Sequence, residues 1–192
     1  MQPIKIIVIG PVRSGKTTIS NFLADATEIP YDYHPTQGVR ILEFEVQNIN
    51  VNTKSITQDI ELWDCSGDHK FENCWPAIRQ NLHGIIIVYS ERSNQCLKEI
   101  QQLYDYFVNQ TKLGPDKCVI FCYDPEKKNF EISKVISSTF GKVSHVKCNV
   151  DSGGNKLKAD FSSFISTIVT KMHNYTDQEI KNMSTENISF AK

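Results

Sequence analysis

Between the first and second apolar stretches the chain reads Gly10-Pro11-Val12-Arg13-Ser14-Gly15-Lys16-Thr17, which matches G-x-x-x-x-G-K-[ST]. Those residue types at that spacing suit one task, holding a polyphosphate. Glycine at both ends lets a loop curl until successive backbone N–H groups point inward. A helix starting at Lys16 adds partial positive charge beneath the phosphates. Lys16 is placed to reach the β- and γ-phosphates, and the Thr17 hydroxyl to face Mg²⁺. Thr18 closes the candidate cradle. A plain glycine turn with an incidental lysine is the competing reading, and the strand-like run before the loop and helix-like run after it count against that. Further on, Ile60-Glu61-Leu62-Trp63-Asp64-Cys65-Ser66-Gly67 ends an apolar run on Asp64. A carboxylate there can hold Mg²⁺ through water, and the Gly67 N–H can approach a γ-phosphate. Between the two motifs, Tyr33-His34-Pro35-Thr36-Gln37-Gly38 offers Thr36 to complete the metal shell with Thr17 and Asp64. Taken singly Thr36 is weak, because most loop threonines only cap turns.

These groups need a scaffold, and the sequence supplies an α/β one. Short β-rich runs at Ile4–Ile9, Val39–Val46, Thr57–Trp63, Ile85–Tyr89, Val119–Tyr123 and Ser144–Cys148 alternate with amphipathic stretches. That alternation predicts a six-stranded, mostly parallel sheet with helices on both faces. The polar, Asn-rich segment Gln47 to Ser55 leaves no room for a helix, so the second and third strands form a hairpin with one antiparallel edge strand. Helices are predicted at Lys16–Ala26, Phe71–Asn81, Gln95–Gln110, Ile132–Thr139 and Leu157–His173. In the last, Leu157, Phe161, Phe164, Ile165, Ile168, Val169 and Met172 form a stripe that packs on the sheet. One domain is expected over 1–173, followed by a polar tail over 174–192, mobile or forming a short partner-dependent helix.

Composition narrows the class. The 192 residues carry a net charge of −1 and are 40% hydrophobic, which describes an ordinary globular domain rather than a nucleic-acid binder or a basic membrane-surface protein. The six cysteines, Cys65, Cys74, Cys96, Cys118, Cys122 and Cys148, show no CxxC pairing and read as reduced structural thiols. No signal-peptide pattern or membrane-length apolar run occurs, so a cytosolic location is expected.

The chain from Ile4 to Met172 resembles the Ras superfamily, specifically Rab-like small GTPases. Within it, Pro35 to Glu45 and Glu61 to Ala77, with the unusual Gln37 and the Cys74-Trp75-Pro76-Ala77 run, are similar to the Rab-like subunits of intraflagellar transport complex B. The resemblance implies a small-GTPase fold, GTP or GDP with Mg²⁺ as ligand, docking on the coiled-coil subunits of that complex, and a place in the cilium or flagellum and at its base.

Departures from the family pattern carry the mechanism. After Gly67 stands Asp68, where relatives carry the glutamine that orients the attacking water. An ionised carboxylate there cannot donate a hydrogen bond and adds negative charge near the γ-phosphate. Val12 places a branched side chain where Ras proteins have glycine, so slow turnover is expected and no residue is assigned as catalytic. The base-recognition pattern Asn-Lys-x-Asp is replaced by Tyr123-Asp124-Pro125-Glu126. Aligned, Glu126 stands where the guanine-binding carboxylate belongs and Tyr123 can pack near the base, although a solvated turn fits the same residues. Asn149-Val150-Asp151 replaces the usual Ser-Ala-Lys element. The terminal residues Ile188 to Lys192 lack prenylation cysteines, so no direct lipid anchor is expected.

Trp63, Phe71, Trp75 and Phe44 are candidate interface anchors, with core packing as the competing role. Arg40, Glu43 and Glu45 are expected to point outward from the edge strand. Two rival functions remain open. One is an active GTPase completed in trans by a partner, the other a P-loop kinase, disfavoured because no Arg-rich lid follows.

Overall fold

The computed structural model describes residues 2–26, 34–51, 54–90, 96–111, 113–123, 136 and 138–189, with backbone alone for Cys96 and 175–189. Six strands, β1 (Ile4–Ile9), β2 (Val39–Val51), β3 (Lys54–Cys65), β4 (Gly84–Tyr89), β5 (Cys118–Tyr123) and β6 (Ser144–Cys148), form one sheet. Their order is β2-β3-β1-β4-β5-β6. Only the β2–β3 pair is antiparallel.

Every residue of β1 is buried, as expected of a strand covered on both faces, where a continuous apolar run replaces alternation. Successive side chains still sort to opposite sides. Ile4, Ile6 and Val8 join Ile19 and Leu23 of α1 (Lys16–Leu23) and the Leu157–Val169 stripe. Ile7 and Ile9 join Ile100 of α3 (Cys96–Tyr104), Leu103 and Phe107. Each such aliphatic side chain contributes about 1.5–3 kcal/mol over leaving it in water. Two packed layers therefore hold the carboxyl ends of β1 and β3 rigidly side by side, the edge at which α/β sheets bind ligands.

Element boundaries differ from the sequence reading for local reasons. The hairpin runs through the polar segment expected to be a loop. A register shift between Val46 and Ile49, at Asn48 with its positive φ of 57°, turns Ile49 and Val51 inward to burial. Instead of one helix over Phe71–Asn81 there is a 3₁₀ turn, His69–Cys74, and a four-residue helix α2, Trp75–Ile78. Pro76 is tolerated there because it lies in the first turn. α1 stops at Leu23 rather than Ala26, where Asp25 enters the left-handed region with φ 49°. α3 gives way at Asp105–Asn109 to a π turn, while the predicted helix over Ile132–Thr139 falls mostly outside the described residues. The last helix, α4 (Val150–Ser189), starts earlier than expected, is interrupted at Gly153, and continues past His173.

Of the described cysteines, Cys65, Cys118, Cys122 and Cys148 are buried and Cys74 is exposed, all as free thiols. Burial pushes the thiols of Cys65 and Cys148 up to about 12, which keeps them protonated. No helix among the described residues is long and apolar enough to cross a membrane.

Candidate nucleotide and metal site

The loop from Gly10 to Gly15 leaves the buried end of β1 and delivers Lys16 as the first residue of α1. Gly15 caps that helix at φ 93°, and a Cβ there would lie 2.3 Å from the Tyr123 ring, so both conformation and space demand glycine. Gly67, arriving from β3, approaches the same loop so closely that a Cβ would sit 2.5 Å from the Gly10 oxygen and 2.7 Å from the Val12 nitrogen. Within the loop Ser14 is buried and its Oγ has no partner among the described residues. Pro11 is half-buried, while Val12, Arg13 and Thr18 are exposed. No acidic residue occupies the first turn of α1, which leaves the positive end of its dipole available to an anion.

Lys16 is 7% exposed, and its Nζ donates to the Gly10 oxygen at 3.0 Å and the Pro11 oxygen at 2.7 Å. Burial pulls its pKa down to about 8, with Asp64 opposing that shift. The ammonium is thus desolvated, held over the loop by carbonyls, and ready to exchange neutral acceptors for anionic ones.

Asp64 is fully buried. Its Oδ2 accepts from Thr17 Oγ1 at 2.9 Å and from Thr36 Oγ1 at 3.5 Å, while the two hydroxyls lie 3.1 Å apart. Three oxygen donors from three separate segments therefore converge, although Thr36 follows a stretch outside the described residues. Desolvation holds the Asp64 carboxyl above its ordinary range, despite the Thr17 hydrogen bond and the Arg40 charge. Its Oδ1 is buried with no partner among the described residues. Hard oxygen donors with an orphaned carboxylate oxygen suit Mg²⁺. Thr17, Thr36 and Asp64 would hold it, and the ion would neutralise phosphate charge and tie both loops to the nucleotide.

Tyr123 ends β5 half-buried, its ring against Gly15, so the end of β5 touches the loop from Gly10 to Gly15. Asp124 and Glu126 lie outside the described residues. Asp68 follows Gly67 with its side chain partly exposed. It caps the 3₁₀ turn, accepting from the Lys70 backbone N–H at 3.0 Å and pairing with Lys70 Nζ at 3.2 Å. The Lys70 bonds lower its pKa, so it is anionic at neutral pH.

A model of the Ras of Complex (Roc) domain family matches residues 5–124. The intraflagellar transport protein 22 homologue of Mus musculus is 37% identical over 93% of this chain and 97% of its own length. Its Homo sapiens counterpart is 36% identical over the same shares. The chain belongs to the IFT22 family of Ras-like GTPase domains. A solved structure, the T. brucei IFT22/74/81 GTP-bound crystal structure, superposes on this IFT22-family chain with a TM-score of 0.72 and 25% identity, covering 91% of this chain and 99% of the other.

The IFT22-family site includes a residue that sequence reasoning misassigned. Arg40 does not point outward with Glu43 and Glu45. Strict alternation along β2 puts Arg40, Leu42 and Phe44 on one face and Ile41, Glu43 and Glu45 on the other. Arg40 therefore folds inward, its Nη2 3.4 Å from Asp64 Oδ2 and bonded to Asn21 Oδ1 on α1. The signal available was parity along the strand. Among the aromatic candidates, Phe44 packs on Phe161 and Trp75 on Tyr106 and Phe107. Trp63, half-buried, carries the Lys5 ammonium over its ring.

Proposed function

We propose that this chain binds GTP or GDP with Mg²⁺ as the Rab-like subunit of an intraflagellar transport complex B. In this reading it hydrolyses GTP slowly and acts in the cilium. The observation that carries the reading is the convergence of Thr17, Thr36 and Asp64 beside the desolvated Lys16. A phosphate-bound metal at that point pulls three chain segments into one arrangement, and loss of the γ-phosphate frees them. Gly10 to Thr18 and Gly67 would cradle the phosphates, and Tyr123, Asp124 and Glu126 are assigned to base recognition on the alignment.

The trypanosome neighbour assembles with IFT74 and IFT81 according to its name, and docking on homologous coiled-coil subunits is proposed here. The outer face of the hairpin supports it. Ile41 is 48% exposed, and Glu43 stands directly opposite Glu61 as Glu45 does opposite Asp59. Facing like charges destabilise a hairpin, and a helix bearing Lys or Arg relieves them. Membrane association would then come through those partners.

The reading is tested by purifying the protein gently, releasing what it carries and identifying that molecule by chromatography. Guanine nucleotide is the expected result, and adenine nucleotide or nothing sinks it. Slow hydrolysis has its own check. Because the Asp68 carboxylate is engaged by Lys70 and cannot donate to water, Asp68→Gln should raise the single-turnover rate about tenfold, the worth of roughly one transition-state hydrogen bond. Fast turnover in the unaltered protein, or no change in the variant, contradicts this.

A further inference from the structure

Arg40 is the one residue at the metal shell that family resemblance did not place there, and its geometry is specific. On the hairpin it stands directly opposite Asp64. Its guanidinium bridges that carboxylate and the buried Asn21 of α1. It approaches the same oxygen, Oδ2, that receives Thr17 and Thr36, leaving Oδ1 of Asp64 as the oxygen without a partner. The Arg40 Nε is likewise buried without a partner among the described residues, and the contacts to Asp64 and Asn21 are both made by Nη2.

We infer that Arg40 is a positioning residue built into the metal shell, a resident cation that fixes Asp64 against Asn21 and weakens the grip of the site on Mg²⁺; this rests on the nucleotide-and-Mg²⁺ reading above. Two consequences with opposite signs follow. A guanidinium beside Asp64 spends part of the negative charge that would otherwise attract a divalent ion, so Mg²⁺ is held less tightly. The same contact offsets the cost of burying Asp64 when no metal is bound, so the metal-free protein is more stable with Arg40 than without it. Protection of bound nucleotide thereby requires more Mg²⁺ than it would around an uncompensated aspartate. An ordinary packing residue behaves differently, since its loss weakens both fold and site.

The full chain, loaded with a fluorescent GDP analogue, reports the Mg²⁺ concentration that half-protects against nucleotide release. Thermal melting of the metal-free protein is measured in parallel. Arg40→Met keeps the apolar stem and removes the charge. It should lower the Mg²⁺ requirement roughly three- to tenfold, a modest factor because the Arg40 side chain is partly exposed, while lowering the melting temperature of the metal-free form. Arg40→Lys, which restores a cation, should return both readouts toward the parent values, and Asn21→Ala, which releases the second anchor, should shift both in the direction of Arg40→Met by a smaller amount. An Mg²⁺ requirement that stays the same or rises in Arg40→Met overturns the assignment. If that variant fails to fold, an unshifted requirement in Asn21→Ala overturns it instead. Failure of the unaltered chain to retain guanine nucleotide sinks the reading on which both proposals stand, and is distinguished by being visible before any substitution is made.

Discussion

Replacing Lys16 by methionine is expected to weaken GDP and GTP binding by a factor of about a hundred to about twenty thousand while leaving the nucleotide-free protein folded. Charge-assisted hydrogen bonds contribute about 1.5–3 kcal/mol each, and the Lys16 ammonium already makes two bonds that a polyphosphate can replace with stronger ones. Each 1.4 kcal/mol is about a factor of ten in affinity, which sets the range. Methionine keeps most of the buried stem packed. It also removes a group whose charged form is penalised. The folded pKa of Lys16 is lowered from 10.5 to about 8, so the stability linked to this group is present above 10.5 and lost as the pH falls through 8. Methionine has no such dependence, and at neutral pH the variant should melt no lower than the parent. A second readout belongs to the same substitution. Burial lowers the Lys16 pKa to about 8 and bound phosphate raises it again, so calorimetry near pH 8 in buffers of different ionisation enthalpy should show net proton uptake on nucleotide binding. Lys16→Met should show none. Undiminished affinity in the variant would falsify the placement of the phosphates over Lys16.

The phosphate loop was legible because its chemistry forces residue types. Gly15 must be glycine with φ 93° and the Tyr123 ring beside it, and Gly67 must be glycine because the loop backbone passes within contact. The sheet was legible for a related reason, since β1 and β4 are buried on both faces and near-continuous apolar runs, broken in β1 by the buried Lys5, suit such strands. Where sequence reasoning erred, the deciding contacts lie far away along the chain. The Gln47–Ser55 segment looks like a loop until the shift at Asn48 returns Ile49 and Val51 to the core. Trp75, weighed equally as interface anchor and core residue, is half-buried and packs on Tyr106 and Phe107 from the segment after α3. Arg40 is recognisable as a partner of Asp64 only once the antiparallel register sets the two opposite each other. Local pattern thus singles out residues whose types and spacing a ligand would demand, and missed those demanded by other parts of the protein.

Asp64→Asn should separate stability from binding more sharply than any other single change in this site. With its carboxyl fully buried and held above the ordinary range mainly by desolvation, Asp64 contributes stability that is fully present below its unfolded value of 3.8 and is lost as the pH rises through the folded pKa. In the metal-free parent the buried carboxyl is incompletely paired, since Thr17, Thr36 and Arg40 all crowd onto Oδ2 and leave Oδ1 without a partner among the described residues, so its cost grows as the pH rises above the unfolded value. Asparagine keeps the size and an acceptor for Thr17 without the charge. The metal-free variant should accordingly melt higher than the parent at pH 7, and the difference should shrink as the pH falls toward 4. Mg²⁺ binding should move the other way. Groups that support a metal through its water shell typically account for a factor of about 10–100 in metal affinity, and the variant should need that much more Mg²⁺ to protect bound nucleotide. Coupling to Arg40 supplies the internal control. Once Asp64 is neutral the guanidinium has no carboxylate to offset, so adding Arg40→Met to Asp64→Asn should shift the Mg²⁺ requirement far less than Arg40→Met does alone. A variant that melts lower than the parent at pH 7, or that holds Mg²⁺ as tightly, would show that the carboxylate at the end of β3 serves the packing of the sheet and not a metal-bound phosphate.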